Sequence, residues 1–171
     1  MSLLERIHQK RKERDEQFYN NPSYTKEYKQ SYITGTSAFN IPYKGMQCDW
    51  HQIDTLKAGR EGRFVMHPTA IIGAEDIFGD YGLWDCSEWL KGRGFGENNY
   101  LCATPTRAIL DLLYNWIAIK EKYPQPLDDF WDFMFDELDI NELSLRLDEL
   151  ELNLNPSGVE LLKVWRSKNG L

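Results

Sequence analysis

The sequence predicts an α+β protein, in which a small, mostly antiparallel sheet follows an N-terminal helix and precedes a helical C-terminal subdomain. Two contrasts along the chain indicate this order. Residues 43–103 are rich in glycine and aromatic residues and have only short apolar runs, which is typical of short strands. Residues 104–171 instead place apolar residues at the spacing of amphipathic helices. We therefore expect a charged helix over residues 1–22 and a single domain over residues 23–171.

The N-terminal segment has the pattern of a helix from Ser2 to Phe18. Ser2 and Glu5 have capping-box spacing, and the middle of the segment is charged on every side. Acidic residues nearly neutralise the basic ones, so contact with nucleic acid is not expected. After a break at residues 20–23, tyrosines recur every four positions up to Tyr32, which favours a further helical face.

The sheet-rich part contains short apolar runs that we expect to form strands with turns between them. These runs are Phe64–Met66, Ala70–Ile72 and Asp76–Phe78. Residues 79–82 contain two glycines and an aspartate, which is typical of a turn. Parallel strands need a crossover of helical length, and no such segment separates these runs. The sheet is therefore expected to be mostly antiparallel.

The helical part opens at Thr104, a favourable N-cap, with Pro105 at the first helical position. Its apolar residues continue at helical spacing towards Pro124. The same periodicity predicts three further helices. They are a segment from Pro126 to Phe135, a segment capped by Asp139 and running to Leu154, and a closing segment from Val159 to Trp165 after a break at residues 155–158.

The charge distribution favours a protein partner. The net charge is −7, and residues 121–171 carry 12 acidic residues against 5 basic ones. Such a surface repels nucleic acid and attracts basic proteins. No apolar run approaches the ~20 residues of a membrane helix, and the charged N-terminus lacks the pattern of a signal peptide. Three widely spaced cysteines are typical of reduced thiols, so a cytoplasmic location is expected.

One group of residues has the ingredients of a chemical site. Cys48 and His51 have C-x-x-H spacing, and His67 or Cys86 would complete a tetrahedral zinc site. Structural zinc sites usually contain two close pairs, and the second pair is missing, so we expect no metal, no cofactor and no catalytic residue. The alternative is a small metal-binding domain, or an enzyme with a Cys–His nucleophile. The alternative would be centred on Cys48, Asp49, His51, His67 and Asp85.

The segment Ala103–Tyr114, with the sequence ATPTRAILDLLY, resembles the signature helix of the AbiEi-type antitoxins. These antitoxins are the partners of nucleotidyltransferase toxins in abortive-infection systems. Asp139–Leu150 resembles the later leucine-spaced helices of that family, and Thr34–Ala38 is similar to its Gly-x-Ser-Ala turn. The resemblance covers about residues 95–165. The family's winged helix-turn-helix has no counterpart here, so the resemblance does not extend to binding of operator DNA.

The resemblance implies a non-enzymatic, defence-associated protein that neutralises a cognate nucleotidyltransferase toxin, with or without direct contact, and it carries over no catalytic residue. The acidic helical lobe, residues 121–171, would meet a basic protein partner. Exposed aromatic side chains beside acidic ones make suitable anchors for such a partner. The sequence does not define an oligomeric state. The candidate contacts are Arg107, Trp116, Trp131, Asp132, Asp136 and Glu137.

Overall fold

The computed structural model of the protein describes residues 32–45, 74–92, 99–128, 130–133 and 137–171, and for residues 36, 132, 133 and 137–139 it describes the backbone only. All of the described residues belong to one compact unit, Tyr32–Leu171. The N-terminal helix predicted for residues 1–22 lies outside the described residues. The strands predicted at Phe64–Met66 and Ala70–Ile72 lie outside them as well.

Within the described residues, the sheet has three short strands: β1 (Tyr32–Ile33), β2 (Leu83–Asp85) and β3 (Leu101–Ala103). Strand β3 is central in the order β1-β3-β2. It runs parallel to β1, with Ile33 opposite Cys102, and antiparallel to β2, with Trp84 opposite the same cysteine. Together with the helices, this sheet confirms the predicted α+β class.

The expectation of a mostly antiparallel sheet is wrong for one of the two strand pairs. All of the predicted strands follow residue 43, whereas β1 contains Tyr32, for which the tyrosine spacing predicts a helix. The long stretch of chain between β1 and β3 supplies the connection that a parallel pair requires. The sheet is therefore mixed.

The helices among the described residues are short before β3 and longer after it. They are α1 (Glu75–Phe78), α2 (Ser87–Lys91), α3 (Pro105–Tyr114), α4 (Glu137–Glu151) and α5 (Pro156–Lys168). A π-helical turn, Asn115–Ile119, continues α3, and 3₁₀ turns occupy Gly35–Asn40, Gln125–Leu127 and Phe130–Phe133. None of the described helices is long and apolar enough to cross a membrane.

Helices α3 and α5 begin in the same way. The Thr104 side chain accepts a hydrogen bond from the Arg107 backbone nitrogen at 3.3 Å, and Pro105 follows at the first helical position, as predicted. Asn155 accepts a hydrogen bond from the Gly158 backbone nitrogen at 2.7 Å. The proline after Asn155 therefore starts α5, three positions before the predicted start, because Asn-Pro acts as cap and first residue.

Three other expectations of local structure were wrong. Asp76–Phe78 belongs to α1 and not to a strand, because acidic residues in a first turn favour a helix and a run this short has no clear period. Where the helix predicted from Pro126 to Phe135 is described (residues 126–128 and 130–133), two 3₁₀ turns take its place. Asp139 lies inside α4 instead of capping it.

Helix α3 occupies the centre of the described domain. All of its residues from Pro105 to Leu113 are buried. The Gly35–Asn40 turn and α4 both contact α3, while α5 contacts the π-helical turn that follows it. The α4 leucines that face the core (Leu143, Leu147 and Leu150) are fully buried. Trp165 of α5 is also fully buried, and its indole nitrogen donates to the Leu127 carbonyl oxygen at 3.0 Å.

Candidate functional site

Two features of the described domain are candidates for a functional site: a buried cluster of polar side chains on α3, and the outer surface of the acidic helical lobe. The buried cluster consists of Arg107, Asp111, Tyr32 and Thr34. Arg107 and Asp111 are one helical turn apart, with the Arg107 Nε atom 3.0 Å from the Asp111 Oδ1 atom, and both side chains are 0% exposed. We call this group the Arg107–Asp111 cluster.

The Asp111 carboxylate accepts hydrogen bonds from four donors. The Tyr32 hydroxyl donates to Oδ2 at 2.8 Å, and the Thr34 hydroxyl donates to the same oxygen at 2.6 Å. The Ala74 backbone nitrogen donates to Oδ1 at 2.9 Å, beside the bond from Arg107. Because both oxygens are saturated, the buried negative charge is compensated by its own domain.

The Arg107 guanidinium binds the backbone of the turn that follows α1. Its Nη1 atom donates to the carbonyl oxygens of Gly79 at 2.8 Å and Tyr81 at 2.6 Å. Its Nη2 atom donates to the Tyr32 hydroxyl at 2.9 Å. The guanidinium carbon also lies 5.0 Å from the centre of the Tyr32 ring and 5.6 Å from that of Phe78. All three nitrogens of the guanidinium therefore donate inside the protein, and four of its five N–H groups have acceptors there.

Gly82 allows the close approach of this turn to α3. Its φ of +69° is in the left-handed region, and a Cβ atom there would lie 2.7 Å from the Cβ atom of Arg107. The Gly82 carbonyl oxygen accepts a hydrogen bond from the Thr104 backbone nitrogen at 2.7 Å. The turn and the start of α3 are thus held in direct backbone contact.

The surroundings of Arg107 and Tyr32 raise the pKa of both side chains. Burial by itself would lower the pKa of Arg107, but the charge of Asp111 and the contact with Tyr32 outweigh it and leave that pKa raised. Burial, followed by the negative charge of Asp111, raises the pKa of Tyr32 well above its usual range. Arginine stays charged and tyrosine stays neutral, so neither side chain exchanges a proton near pH 7.

These contacts give the cluster a structural role. It joins β1, the residues around α1 and helix α3, three segments that are far apart in sequence. The burial of Arg107 is at odds with the prediction that this residue contacts a partner, because its side chain has no exposed surface and its guanidinium is hydrogen-bonded within its own domain.

The other candidate contacts lie on or near the helical lobe. Trp131 is 43% exposed, and its ring centre lies 4.5 Å from that of Phe130. Phe130 in turn lies 5.2 Å from Trp165, so the exposed indole rests on an aromatic column that ends in the core. Trp116 is half-buried, with the Lys120 Nζ atom 4.2 Å from its ring centre.

The acidic candidate contacts are placed only in part. Asp136 lies outside the described residues. For Asp132 and Glu137 the structure describes the backbone, in a 3₁₀ turn and at the start of α4 respectively.

Helix α4 exposes a surface that contains none of the partner contacts predicted from the sequence. Leu145 is 65% exposed and Leu152, just beyond the helix end, is 87% exposed. At 3.6 residues per turn, positions seven apart lie about 20° from each other on a helix, so both leucines follow one line opposite the buried Leu147. We call this line and its exposed neighbours the α4 outer face. It comprises Asn141, Glu142, Leu145, Asp148 and Leu152.

Ion pairs connect the edges of the α4 outer face to its surroundings. The Arg166 Nη1 atom from α5 lies 2.6 Å from the Asp148 Oδ1 atom and 3.7 Å from the Glu151 Oε2 atom. On the opposite edge, Arg146 binds Glu149 at 2.8 Å and lies 4.0 Å from the ring centre of Tyr81. These pairs fix the orientation of α4 but leave the line of leucines uncovered by the described residues.

The alternative chemical site is described only at its last two residues. Cys48, Asp49, His51 and His67 lie outside the described residues. Asp85 is exposed and accepts hydrogen bonds from the Ser87 hydroxyl at 2.5 Å and backbone nitrogen at 2.9 Å; these bonds lower its pKa. Cys86 is buried, with its sulfur 3.5 Å from the Tyr100 carbonyl oxygen. No group of three candidate metal ligands occurs within the described part of the chain.

Sequence signals for the missed residues exist in hindsight. Arg107 and Asp111 are opposite charges one turn apart in an otherwise apolar helix, which is typical of a buried pair. Leu145 and Leu152 are out of phase with the buried leucines of α4. Comparisons with models of protein families, with curated proteins and with solved structures found no match for this chain. The resemblance to the AbiEi-type antitoxins therefore stays a prediction.

Proposed function

We propose that this protein is a non-enzymatic, antitoxin-like protein of cellular defence that acts in the cytoplasm and neutralises a basic toxin of the nucleotidyltransferase type. The observation that carries the proposal is the display of large apolar side chains on an acidic helical lobe. Trp131, Leu145 and Leu152 are all exposed there. Exposed apolar groups on a surface with a net charge of one sign are a common property of protein interaction surfaces.

Trp131 suits the role of an anchor. Its contact with the Phe130 ring restricts the indole in the unbound protein. Little side-chain entropy therefore remains to be lost on binding. Tryptophan is also among the residues that contribute most to binding energy in protein interfaces. The acidic surroundings attract a basic partner over a longer range and orient it before contact.

Capture from the native host tests the proposal. The tagged full-length protein is expressed there, and the proteins that co-purify with it are identified by mass spectrometry. We expect a nucleotidyltransferase in near-stoichiometric amount, and co-expression of that enzyme with the protein should restore growth that the enzyme alone arrests. Trp131→Ala should weaken capture by about tenfold or more, as for a central aromatic contact.

Ile119→Ala is the matched control, because Ile119 has the same exposed fraction as Trp131, 43%, but lies outside the acidic helical lobe. Its capture should stay at the wild-type level. Growth restored without capture would keep the neutralising function and remove direct contact. No growth restoration by the wild-type protein would contradict the proposal.

A further inference from the structure

We infer that the α4 outer face is the docking surface for a cationic amphipathic helix of a partner protein. The inference rests on the proposed function for the partner's identity, but its chemistry follows from α4 itself. Two properties of this face define the occupant: a line of exposed leucines and a negative potential concentrated at one end.

The leucines set the apolar spacing of the occupant. Leu145 and Leu152 are separated by seven positions, which is about 10 Å along a helix at 1.5 Å per residue. Among the described leucines of α4, Leu143, Leu147 and Leu150 are fully buried, so the two outer leucines form a separate, second line. In helices that pack side by side, apolar residues at two positions of each seven-residue repeat form the seam, and Leu145 and Leu152 would supply one of these positions. The matching segment is therefore a helix with its own apolar line.

The negative charge of α4 requires a docking helix with positive charge. Residues 137–151 carry six acidic residues and one basic residue, Arg146. Asp148, Glu149 and Glu151 lie near the C-terminal end of α4, and the last turn of this helix contains no basic residue. The backbone dipole also makes that end negative, so the carboxylates add to its potential instead of offsetting it.

The neighbouring helix shows the opposite arrangement. The last turn of α5 contains Arg166 and Lys168, which complement its dipole. Of these, Arg166 reaches α4, where one guanidinium serves the carboxylates of both Asp148 and Glu151. The end of α4 therefore keeps an excess of negative charge beside Leu152, and lysine or arginine side chains of a partner would complement it.

The same charge argues against other occupants. A second copy that brings its own α4 would place two acidic faces together, which costs binding energy. Nucleic acids and anionic membrane surfaces are repelled for the same reason. A helix with lysines or arginines on both sides of an apolar line fits the leucines and the carboxylates together.

A synthetic peptide tests the inference with the full-length protein. The probe is a helical Lys/Leu/Ala peptide of about 18 residues with leucines seven positions apart, and the control peptide has the same composition in scrambled order. Fluorescence anisotropy at near-physiological salt should show that the wild-type protein binds the amphipathic peptide about tenfold more tightly than the scrambled one. Leu145→Lys combined with Leu152→Lys should remove this preference.

Val164→Lys is the matched control variant, because Val164 is also exposed (56%) but lies on α5. It should retain the wild-type affinity, and unfolding curves should show that all variants are folded. Equal binding of both peptides, absence of binding, or an equal loss in Val164→Lys would overturn the inference. Self-association of the wild-type protein that the double leucine variant abolishes would also overturn it, in favour of a second copy.

The peptide experiment and the growth experiment fail in different ways. If the wild-type protein restores growth but shows no preference for the amphipathic peptide, the α4 outer face is not the docking surface and the proposed function stands. If the peptide binds as expected but the wild-type protein does not restore growth, the docking surface stands and the proposed function is contradicted.

Discussion

Helices α3 and α4 contain the same kinds of residues and use them in opposite ways. In α3, the Arg107–Asp111 pair is 0% exposed and is surrounded by the core of the domain. In α4, Arg146 pairs with Glu149 at the partly exposed edge of the helix, and two leucines lie outside. The comparison shows that charge–charge spacing does not reveal whether a pair holds the fold together or lies at its surface; the surrounding residues decide.

The energetics of the two helices differ accordingly. Removing one partner of a buried pair leaves an uncompensated charge in the interior and costs about 3–5 kcal/mol. Removing one partner of an exposed pair costs less than about 1 kcal/mol, because water replaces the lost contact. Substitutions on α3 should therefore change the stability of the protein, and substitutions on the outside of α4 should change its binding.

The largest effect is expected for Asp111→Ala. It leaves Arg107 buried without its carboxylate, and the free energy of unfolding should fall by about 3–5 kcal/mol in urea denaturation. Asp148→Ala, which breaks the surface pair with Arg166, is the control and should cost less than about 1 kcal/mol.

A double variant tests the same buried pair if Asp111→Ala does not fold. Replacing the buried pair by Arg107→Met with Asp111→Leu removes both charges, so it should be more stable than Asp111→Ala alone. Equal losses for Asp111→Ala and Asp148→Ala would remove the difference between α3 and α4.

An intermediate effect is expected for Gly82→Ala. The new Cβ atom would meet the Arg107 Cβ atom at 2.7 Å in a backbone conformation with φ of +69°, so steric overlap and backbone strain add together. Thermal unfolding should show a loss of about 2–4 kcal/mol. Gly170→Ala is the control, because Gly170 has φ of +71° but open space around its Cβ position, and it should cost about 1 kcal/mol. A similar cost for both would show that Gly82 does not limit the approach to α3.

The smallest effect is expected at Asp128, on the surface of the helical lobe. Hydrogen bonds from Lys168 at 2.5 Å and from the Tyr123 hydroxyl at 2.6 Å lower the pKa of Asp128 below its ordinary value of 3.8. A lowered folded-state pKa stabilises the protein above the unfolded-state value, and this contribution is lost as the pH falls through the folded-state pKa.

Asp128→Asn should therefore flatten the dependence of stability on pH below about pH 4 and leave the dependence at higher pH unchanged. Unfolding curves between pH 2 and pH 7 measure this effect for the variant and the wild-type protein. Identical curves for the two proteins would show that the bonds to Lys168 and Tyr123 contribute nothing in solution.

Local sequence signals predicted a large part of the fold. Thr104 and Pro105 identified the start of α3 correctly, because a cap and a first residue act over one turn and need no distant contact. The parallel pairing of β1 with β3 could not be predicted in this way, since it joins residues far apart in sequence. The early end of α3 at Tyr114 and its continuation as a π-helical turn also depend on packing, with α5 lying against that turn.

The candidate site was predictable to a smaller extent. The acidic character of the lobe and the aromatic Trp131 follow from composition, and Trp131 is indeed exposed. The burial of Arg107 depends on Tyr32 and the turn after α1, neither of which is near it in sequence. Exposure of individual leucines on an amphipathic helix likewise depends on which neighbours cover them.

The most direct test of this account is the affinity of the cationic amphipathic peptide for the Leu145→Lys/Leu152→Lys variant, measured beside its free energy of unfolding. We predict that the affinity falls by about tenfold while the free energy of unfolding changes by less than about 0.5 kcal/mol. This result would show that the α4 outer face contributes to binding and not to the stability of the fold. An unchanged affinity, or a loss of affinity that follows a loss of stability, would contradict the separation of the two roles.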